Sequence, residues 1–217
     1  MEANEIQWEF AGEKLTLLPE KALYLPEKNA LLLSDLHLGK TQHFRKNGLA
    51  IPASAAQNDL LRFKKLIGRY PAADVYFLGD LFHSETNNEM EAFYSLLDQE
   101  SHRRFSLIPG NHDVALNQSP TLHITEKCHP LGNLILCHNP ADLNKAEAGI
   151  CGHIHPGFRL KGQGRQSLLL PAFFRYEQLI LLPAFGKLTG LIPADEKGLQ
   201  EVGLIMPGGI RTLSIRQ

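Results

Sequence analysis

The sequence predicts an α/β fold, because apolar runs of strand length alternate with segments of helical periodicity in the first half of the chain. Three of these runs, ALLLSD, DVYFLGD and RFSLIPG, end abruptly in polar residues or glycine, and such continuous runs are typical of buried strands. Beyond about residue 120 the pattern changes to short strands without a convincing helix. This order predicts one domain, residues 1–217, with an α/β front half and a largely β second half.

The elements follow in a simple order. The chain opens with three short strands, IQWEF, KLTLLP and ALYL, and the first buried strand comes next. A helix is expected from Pro52 to about Tyr70, where apolar residues recur at helical spacing. A second helix, between the second and third buried strands, carries Met90 and Phe93 on its apolar face. In such open sheets, ligand sites form in the crevice at the carboxyl ends of the strands.

The composition indicates an ordinary globular protein. Of the 217 residues, 43% are hydrophobic and 21% are charged, and no apolar run approaches the roughly 18 residues of a membrane span. The acidic start, MEANEIQWEF, does not resemble a signal peptide. The three cysteines form no CxxC pair, and their odd number argues against a disulfide framework, so we expect a reducing cytoplasm. The net charge of −1 means that any polyanion must bind locally.

Polar residues with ligand chemistry follow five apolar strands, at the point where each strand ends. Alternation along a strand predicts that residues two apart share a face, so that an Asp-x-His or a His-x-His can act as a pair. The alternative for each residue alone is a turn or capping role, since Gly-Asp and Gly-Asn are common turn dipeptides. The set comprises Asp35 and His37, Asp80, Asn111, His112 and Asp113, His138, and His153 and His155.

The mixture of side chains indicates a metal site. Carboxylate, carboxamide and imidazole without thiolate suit divalent Mn²⁺, Fe²⁺ or Zn²⁺. Without His112 and Asp113 the set holds seven candidate ligands, too many for one tetrahedral ion but suited to two ions that share a carboxylate. Two such ions stabilise both the attacking and the leaving oxygen of a phosphoryl displacement, and a water between them becomes the nucleophile.

The blocks DLH, GD, GNHD, a lone histidine and GHIH, in this order, resemble the calcineurin-like metallophosphoesterase superfamily. The resemblance implies a four-layer α-β-β-α sandwich and two divalent metal ions. It also implies that a metal-bridging hydroxide attacks the phosphorus in line, that His112 protonates the leaving oxygen and that Asp113 orients His112. By the same resemblance, Asp35, His37 and His155 hold the first ion, Asn111, His138 and His153 hold the second, and Asp80 bridges them.

The strings that flank these blocks, SDLHLGKTQHFRKNGLAIP, GDLFHS and CGHIHP, resemble the ligase-associated DNA damage response endonucleases (PdeM type). This branch implies a manganese-dependent phosphodiesterase or endonuclease that cleaves nucleic acid in DNA repair, in association with a DNA ligase and a helicase. Contacts to the substrate phosphate are expected from His43, Arg45 and His83, for which a solvated loop is the alternative. The cations of a glycine-rich hairpin provide a further candidate surface for nucleic acid, namely Arg159, Lys161 and Arg165.

Two other functions are compatible with parts of the sequence. A small-molecule phosphatase or cyclic-nucleotide phosphodiesterase would use the same metals, and the net charge of −1 favours it because DNA-binding proteins are usually more basic. A non-catalytic scaffold of the same fold is disfavoured, because every ligand position is filled and His112 is retained. Cys137 and Cys151, beside two ligand positions, are expected as small buried residues and not as ligands.

Overall fold

The computed structural model describes residues 4–40, 48, 54–83, 88–113, 119–144, 146–164, 166–193 and 195–215, with the backbone alone at residues 54–57 and 88. A seven-stranded sheet has its strands in chain order, antiparallel from the first to the fourth and parallel from the fourth to the seventh. Its elements are β1 (Ile6–Phe10), β2 (Glu13–Leu18), β3 (Ala22–Leu25), β4 (Ala30–Leu33), α1 (Ser54–Arg69), β5 (Asp74–Leu78), α2 (Asn88–Gln99), β6 (Arg104–Ile108) and β7 (Leu122–Ile124).

The second half of the described chain forms a nine-stranded mixed sheet. Its elements are β8 (Cys128–Leu131), β9 (Leu134–Cys137), β10 (Gly149–Cys151), β11 (Pro156–Lys161), β12 (Ser167–Arg175), β13 (Leu179–Leu181), β14 (Ile192–Pro193), β15 (Glu201–Met206) and β16 (Gly209–Ser214). The order of the strands across the sheet is β14-β11-β12-β13-β10-β9-β8, and β15 and β16 form a hairpin that pairs with β12 through β15.

The core lies on both faces of the first sheet, which explains the continuous apolar run of β4. Leu31 and Leu33 pack with α1 and α2, whereas Leu32 points to the second sheet and packs with residues such as Ile150 and Phe173. All of these side chains are buried. Because the two faces of a strand alternate, a strand that is covered on both sides must be apolar throughout. One face of the first sheet therefore packs on the helices, and the other face packs on the second sheet.

The α/β class and the pair of facing sheets agree with the sequence prediction. Both α-helices of the described chain pack on the first sheet, so the layers there are helix, sheet and sheet. On the outer face of the second sheet, irregular segments supply Leu143 and Leu199 to a third apolar cluster around Phe174 and Val202. An outer helical layer, as a four-layer sandwich requires, is not found among the described residues. None of the described helices is long and apolar enough to cross a bilayer.

One disulfide is present, although the odd number of cysteines argued against a disulfide framework. Cys128 on β8 and Cys137 on β9 are directly opposite in the antiparallel ladder and are joined by a disulfide. Their Cα atoms lie 4.4 Å apart, close to the roughly 4.5 Å of narrow antiparallel pairs. The pairing depends on strand register, which the count of cysteines does not contain. Cys151 is free and buried.

Candidate metal centre

The carboxyl ends of strands from both sheets meet at one edge of the sandwich, and the candidate ligands lie just beyond them. The first sheet contributes the loops after β4, β5 and β6, and the second sheet contributes those after β9 and β10. Residues from positions 35 to 155 thus come together in space. The loops carry, in chain order, Asp35 and His37, Asp80, Asn111, His138, and His153 and His155.

Five of these ligands adopt a left-handed backbone conformation. The φ angles are 53° at Asp35, 50° at His37, 50° at Asp80, 69° at His153 and 51° at His155. Such angles cost a non-glycine residue on the order of 1–2 kcal/mol, and they cluster at functional sites. The sequence predicted that the members of each pair share a face through strand alternation, and this mechanism is not the one that the structure shows. They lie beyond the strand ends, where a left-handed residue at every second position turns both side chains inward.

Backbone hydrogen bonds between the loops hold this conformation. The amide of Asp35 donates to the carbonyl of Gly79 at 3.1 Å, and the amide of His37 donates to the carbonyl of Asp80 at 2.9 Å. A bridge between Leu38 and Phe82 continues the parallel pairing further. The loops after β4 and β5 thus extend the ladder of the strands that precede them. The strained residues are fixed by neighbours on the adjacent strand.

The first ligand group consists of Asp35, His37 and His155. His155 Nε2 lies 3.2 Å from Asp35 Oδ1 and 3.4 Å from His37 Nε2. Asp35 is fully buried, His37 is 6% exposed, and His155 is partly buried. The second oxygen of Asp35, Oδ2, accepts a hydrogen bond from the amide of His153 at 3.1 Å. The carboxylate therefore presents one oxygen to the group and anchors the loop after β10 with the other.

The second ligand group consists of Asp80, His138 and His153. His153 Nδ1 lies 3.0 Å from His138 Nε2, which in turn lies 3.5 Å from Asp80 Oδ1. The other ring nitrogen of His138, Nδ1, lies 2.9 Å from the carbonyl of Leu78, so it donates a proton there. A donating Nδ1 leaves the lone pair on Nε2, which is the arrangement of a metal-binding histidine.

Asp80 lies between the two groups. Its Oδ1 is 3.5 Å from His138 Nε2, and its Oδ2 is 3.9 Å from His37 Nε2. One carboxylate therefore turns one oxygen to each group, as expected for a bridging ligand. Oδ1 also accepts a hydrogen bond from the amide of His112 at 3.0 Å, which attaches the loop after β6 to the centre.

The spacing of the donor atoms fits two small divalent cations. Ligands about 2.0–2.2 Å from one ion, at angles of about 90–110°, lie about 2.8–3.6 Å apart. The separations of 3.2 and 3.4 Å in the first group and 3.0 and 3.5 Å in the second lie in this range. In each group all of the donor atoms are within 4.8 Å of one another.

Lowered pKa values favour neutral imidazoles at His37 and His153 and an ionised carboxylate at Asp35. Burial, and then the charge of Lys40, lowers the pKa of His37 to about 3. Burial, and then His138, also lowers the pKa of His153. Burial alone would raise the pKa of Asp35, but the hydrogen bond and the charge of His155 outweigh it and lower the pKa. Neutral imidazole and ionised carboxylate are the forms that bind metal.

The GNHD loop lies beside the two groups. Asn111 and His112 are exposed, and the His112 ring is 5.6 Å from the His37 ring between centroids. Asp113 is buried; its Oδ1 accepts from the amides of Leu81 and Phe82, and its Oδ2 accepts from the amide of Gly110 at 2.9 Å. Asp113 therefore fastens this loop to the loop after β5. Its direct orientation of the His112 ring stays a prediction.

The structure describes some of the predicted substrate-binding residues and not others. The His83 ring lies 5.4 Å from the His37 ring and 5.0 Å from the His112 ring, so it faces the centre. His43, Arg45 and the hairpin residue Arg165 lie outside the described residues. Arg159 and Lys161 are exposed on β11, which begins directly after His155. Cys151 is buried, as predicted, and burial raises the pKa of its thiol to about 12.

Supporting residues that the sequence did not reveal lie on α1 and after β13. The buried Asp59 accepts from the amide of Lys187 at 2.9 Å and pairs with Arg62, whose guanidinium lies over the Phe185 ring. The amide of Gly186 donates to the carbonyl of Asp35 at 3.1 Å. Asp59 thus holds the loop that supports the first ligand. Its signal in the sequence is weak, an aspartate and an arginine three residues apart on a helix.

Comparisons with known proteins give one family model and similar solved structures. A family model described as calcineurin-like phosphoesterase matches residues 29–155. The crystal structure of Pseudomonas putida nuclease MPE is 28% identical and matches with a TM-score of 0.82, over 97% of this chain and 100% of that chain. The E. coli phosphoesterase Yfce is 17% identical and has a TM-score of 0.44, over 86% of this chain and 99% of that chain. Curated proteins give no significant match.

The family match covers every candidate ligand from Asp35 to His155 and more than half of the 217 residues. Two groups of side chains that could each hold a metal ion lie within the matched residues. The chain therefore belongs to the calcineurin-like phosphoesterase family and is a metal-dependent phosphoesterase.

Proposed function

We propose that the chain is a manganese-dependent phosphodiesterase that cleaves nucleic acid internally, as an endonuclease. The observation that carries this proposal is the pair of ligand groups that share Asp80. Two cations held there would stabilise the charge that develops in the displacement at a phosphodiester. Both sheets contribute ligands, so we treat residues 1–217 as one catalytic domain.

We assign the ligands as follows. Asp35, His37 and His155 hold one ion, and His138 and His153 hold the other together with Asn111, whose carboxamide oxygen suits Mn²⁺. Asp80 serves both ions. This nitrogen and oxygen donor set supports Mn²⁺ and is also compatible with Fe²⁺ or Zn²⁺.

When bound, the pair of ions neutralises phosphate charge and acidifies water. His112 completes the chemistry by donating its ring proton to the leaving sugar oxygen. Its backbone is fixed by the bond to Asp80, and its ring is exposed beside His37, where a substrate can reach it. Asp113 keeps the His112 loop in place through the backbone of the loop after β5. His83, beside His112, is positioned to contact the phosphate.

Nucleic acid as the substrate is supported by two observations. The similar structure from Pseudomonas putida is that of a nuclease. The exposed cations Arg159 and Lys161 lie on the strand that leaves the metal centre, where they can follow a phosphate backbone. His43 and Arg45 are proposed as further phosphate contacts. A DNA repair role in the cytoplasm, with a DNA ligase and a helicase as associates, is the biological setting that we propose.

A small-molecule phosphatase or cyclic-nucleotide phosphodiesterase is the second candidate, and the net charge of −1 favours it. A metal-swap screen separates the two functions. The chelated protein is loaded with Mn²⁺, Fe²⁺ or Zn²⁺ and assayed on bis-p-nitrophenyl phosphate, p-nitrophenyl phosphate and single-stranded DNA. We expect manganese to support diester and DNA cleavage, with the rate on DNA falling steeply as salt rises. Activity on the monoester alone, or a shallow salt dependence, would favour the second candidate.

The role of His112 has its own test. His112→Ala should retain two manganese ions by elemental analysis but lose roughly 10²–10⁴-fold in rate on DNA, whose sugar oxygen needs a proton to leave. Bis-p-nitrophenyl phosphate is the matched control, because nitrophenolate leaves without one. Equal losses on both substrates would contradict the assignment of His112 as the acid.

A further inference from the structure

All three cysteines lie in one row across three adjacent strands of the second sheet. Cys137 on β9 is the register partner of Cys128 on β8 and of Cys151 on β10. The three belong to the apolar cluster on the outer face of the sheet. Cys128 and Cys137 are bonded, and Cys151 carries a free thiol. Neither the dinuclear centre nor its chemistry uses this row.

The row lies directly before the second ligand group. Cys137 is the residue before His138, and Cys151 is two residues before His153. The disulfide therefore crosslinks the backbone that carries His138 to β8, which is an edge strand of the sheet. β8 and β9 are four residues long, so their ladder is short. A covalent bond at the end of this ladder restrains the start of the ligand loop.

The exposure of the three sulfurs determines which of them a reagent reaches. Cys137 and Cys151 are fully buried. Cys128 is only partly buried. Its Sγ lies 3.7 Å from the carbonyl oxygen of Asp142, and this contact is exposed to solvent. An external thiol can therefore attack the disulfide only from the Cys128 side. Exchange with Cys151 is disfavoured because an incoming thiolate cannot reach it, and a buried thiol is a poor nucleophile.

We propose that Cys128–Cys137 is a reversible redox modification site that controls manganese binding at the group Asp80, His138 and His153. The inference rests on the proposed two-metal function. In the bonded form the backbone at His138 is held to β8, and the second ion binds tightly. In the dithiol form β8 is held by the short ladder alone, the position of His138 is less restrained, and the second ion binds more weakly.

The reaction is a thiol–disulfide exchange with a low-molecular-weight dithiol. One thiolate of the dithiol attacks Cys128 Sγ, the bond between the two protein sulfurs breaks, and Cys137 leaves as a thiolate that takes up a proton. The second thiol of the reagent then attacks the reagent sulfur that is bonded to Cys128. This step releases Cys128 as a thiol and the reagent as a cyclic disulfide. Two electrons pass to the protein. Glutathione disulfide restores the bond: Cys128 attacks it and releases one glutathione, and Cys137 then attacks Cys128 Sγ in the mixed disulfide and releases the second glutathione.

The test compares the oxidised and reduced forms of the full chain. The protein is treated with glutathione disulfide or dithiothreitol, freed of reagent under argon and titrated with Mn²⁺ by electron paramagnetic resonance. Intact mass after alkylation in urea, which exposes the buried cysteines, counts the free thiols. We expect the second manganese to bind about tenfold more weakly to the reduced form, as typically follows when the surroundings of a ligand are altered, with the first unchanged. Cys128→Ser should behave as the reduced form under both treatments, whereas Cys151→Ser, the matched control, should respond as the wild type does.

Each other outcome has a definite meaning. Equal manganese binding by the oxidised and reduced wild type would overturn the inference and leave the two-metal function intact. The inference is overturned in the same way if glutathione disulfide leaves all three thiols open to alkylation, or if Cys128→Ser still responds to redox treatment. Absence of manganese from both forms would instead refute the two-metal function, and the redox control with it. The reduced wild type serves as the test even if Cys128→Ser fails to fold.

Discussion

Gly79 offers the sharpest test of how the loops form the second ligand group. It lies at a φ of 74°, directly before the shared ligand Asp80, and a Cβ added to it would lie 2.2 Å from His138 Nδ1 and 2.4 Å from His138 Cγ. His138 has little room to move, because it is buried and Nδ1 donates to Leu78. We therefore expect Gly79→Ala to displace the His138 ring.

The magnitude follows from two terms. A left-handed alanine costs on the order of 1–2 kcal/mol, and forcing a methyl group into a packed site adds about 1–3 kcal/mol. Gly198→Ala separates the terms, because Gly198 has a φ of 75° and nothing within 4 Å of an added Cβ. The control should lose only the conformational term, whereas Gly79→Ala should lose about 2–5 kcal/mol in total.

Urea unfolding of the metal-free proteins measures these losses, and elemental analysis after manganese loading counts the ions. Gly79→Ala should hold one ion tightly, at the first group, and Gly198→Ala should hold two. If Gly79→Ala binds two ions with unchanged affinity and is as stable as Gly198→Ala, then the contact between Gly79 and His138 does not shape the site and the reasoning is wrong.

Three further predictions concern the shared ligand, its support and a buried thiol. Asp80→Asn should bind fewer than two manganese ions per chain, because both groups lose the carboxylate charge and one of them loses its oxygen donor; two ions bound with unchanged affinity would rule out bridging. Asp59→Ala should lower the free energy of unfolding by about 2–4 kcal/mol, since Arg62 and the amide of Lys187 lose a buried partner. A change below about 0.5 kcal/mol in urea unfolding would show that Asp59 does not support the loop at Lys187. Because the folded pKa of Cys151 is raised from 9.0 to about 12, the stability from its protonated thiol is complete below pH 9 and is lost as the pH rises toward 12. At pH 10 the chelated wild type should have lost about 1.4 kcal/mol relative to Cys151→Ala, and parallel pH curves for the two proteins would contradict this.

The α/β front half was predictable because its signals are local. The apolar run of β4 and the helical spacing of α1 appear in the sequence as they do in the structure. The second half was predicted as strands without helices, and the described chain there has only strands and a 3-10 turn at Pro140–Asp142. The order of those strands was not predictable, because β10 pairs with β9 and with the distant β13.

The candidate ligands were identifiable for a different reason. Metal binding needs particular side chains, and these stand out where a polar residue interrupts an apolar run, as Asp35 does after β4. Six of the seven predicted ligands form the two groups in the structure, and Asn111 lies on the adjoining loop. The left-handed angles were missed, since only a few per cent of non-glycine residues adopt them and the local sequence does not show which ones will.

By itself, the sequence determined the class of fold, the chemical types of the ligands and their order along the chain, because these depend on side-chain chemistry and local periodicity. The grouping of the donors and the place of Asp80 between the groups came only through the family resemblance, and tertiary structure gave their distances and decided which cysteines are joined. Those outcomes depend on distances between strands of different sheets or on strand register, and a contact such as that of Asp80 with His138 arises only when the two sheets pack face to face.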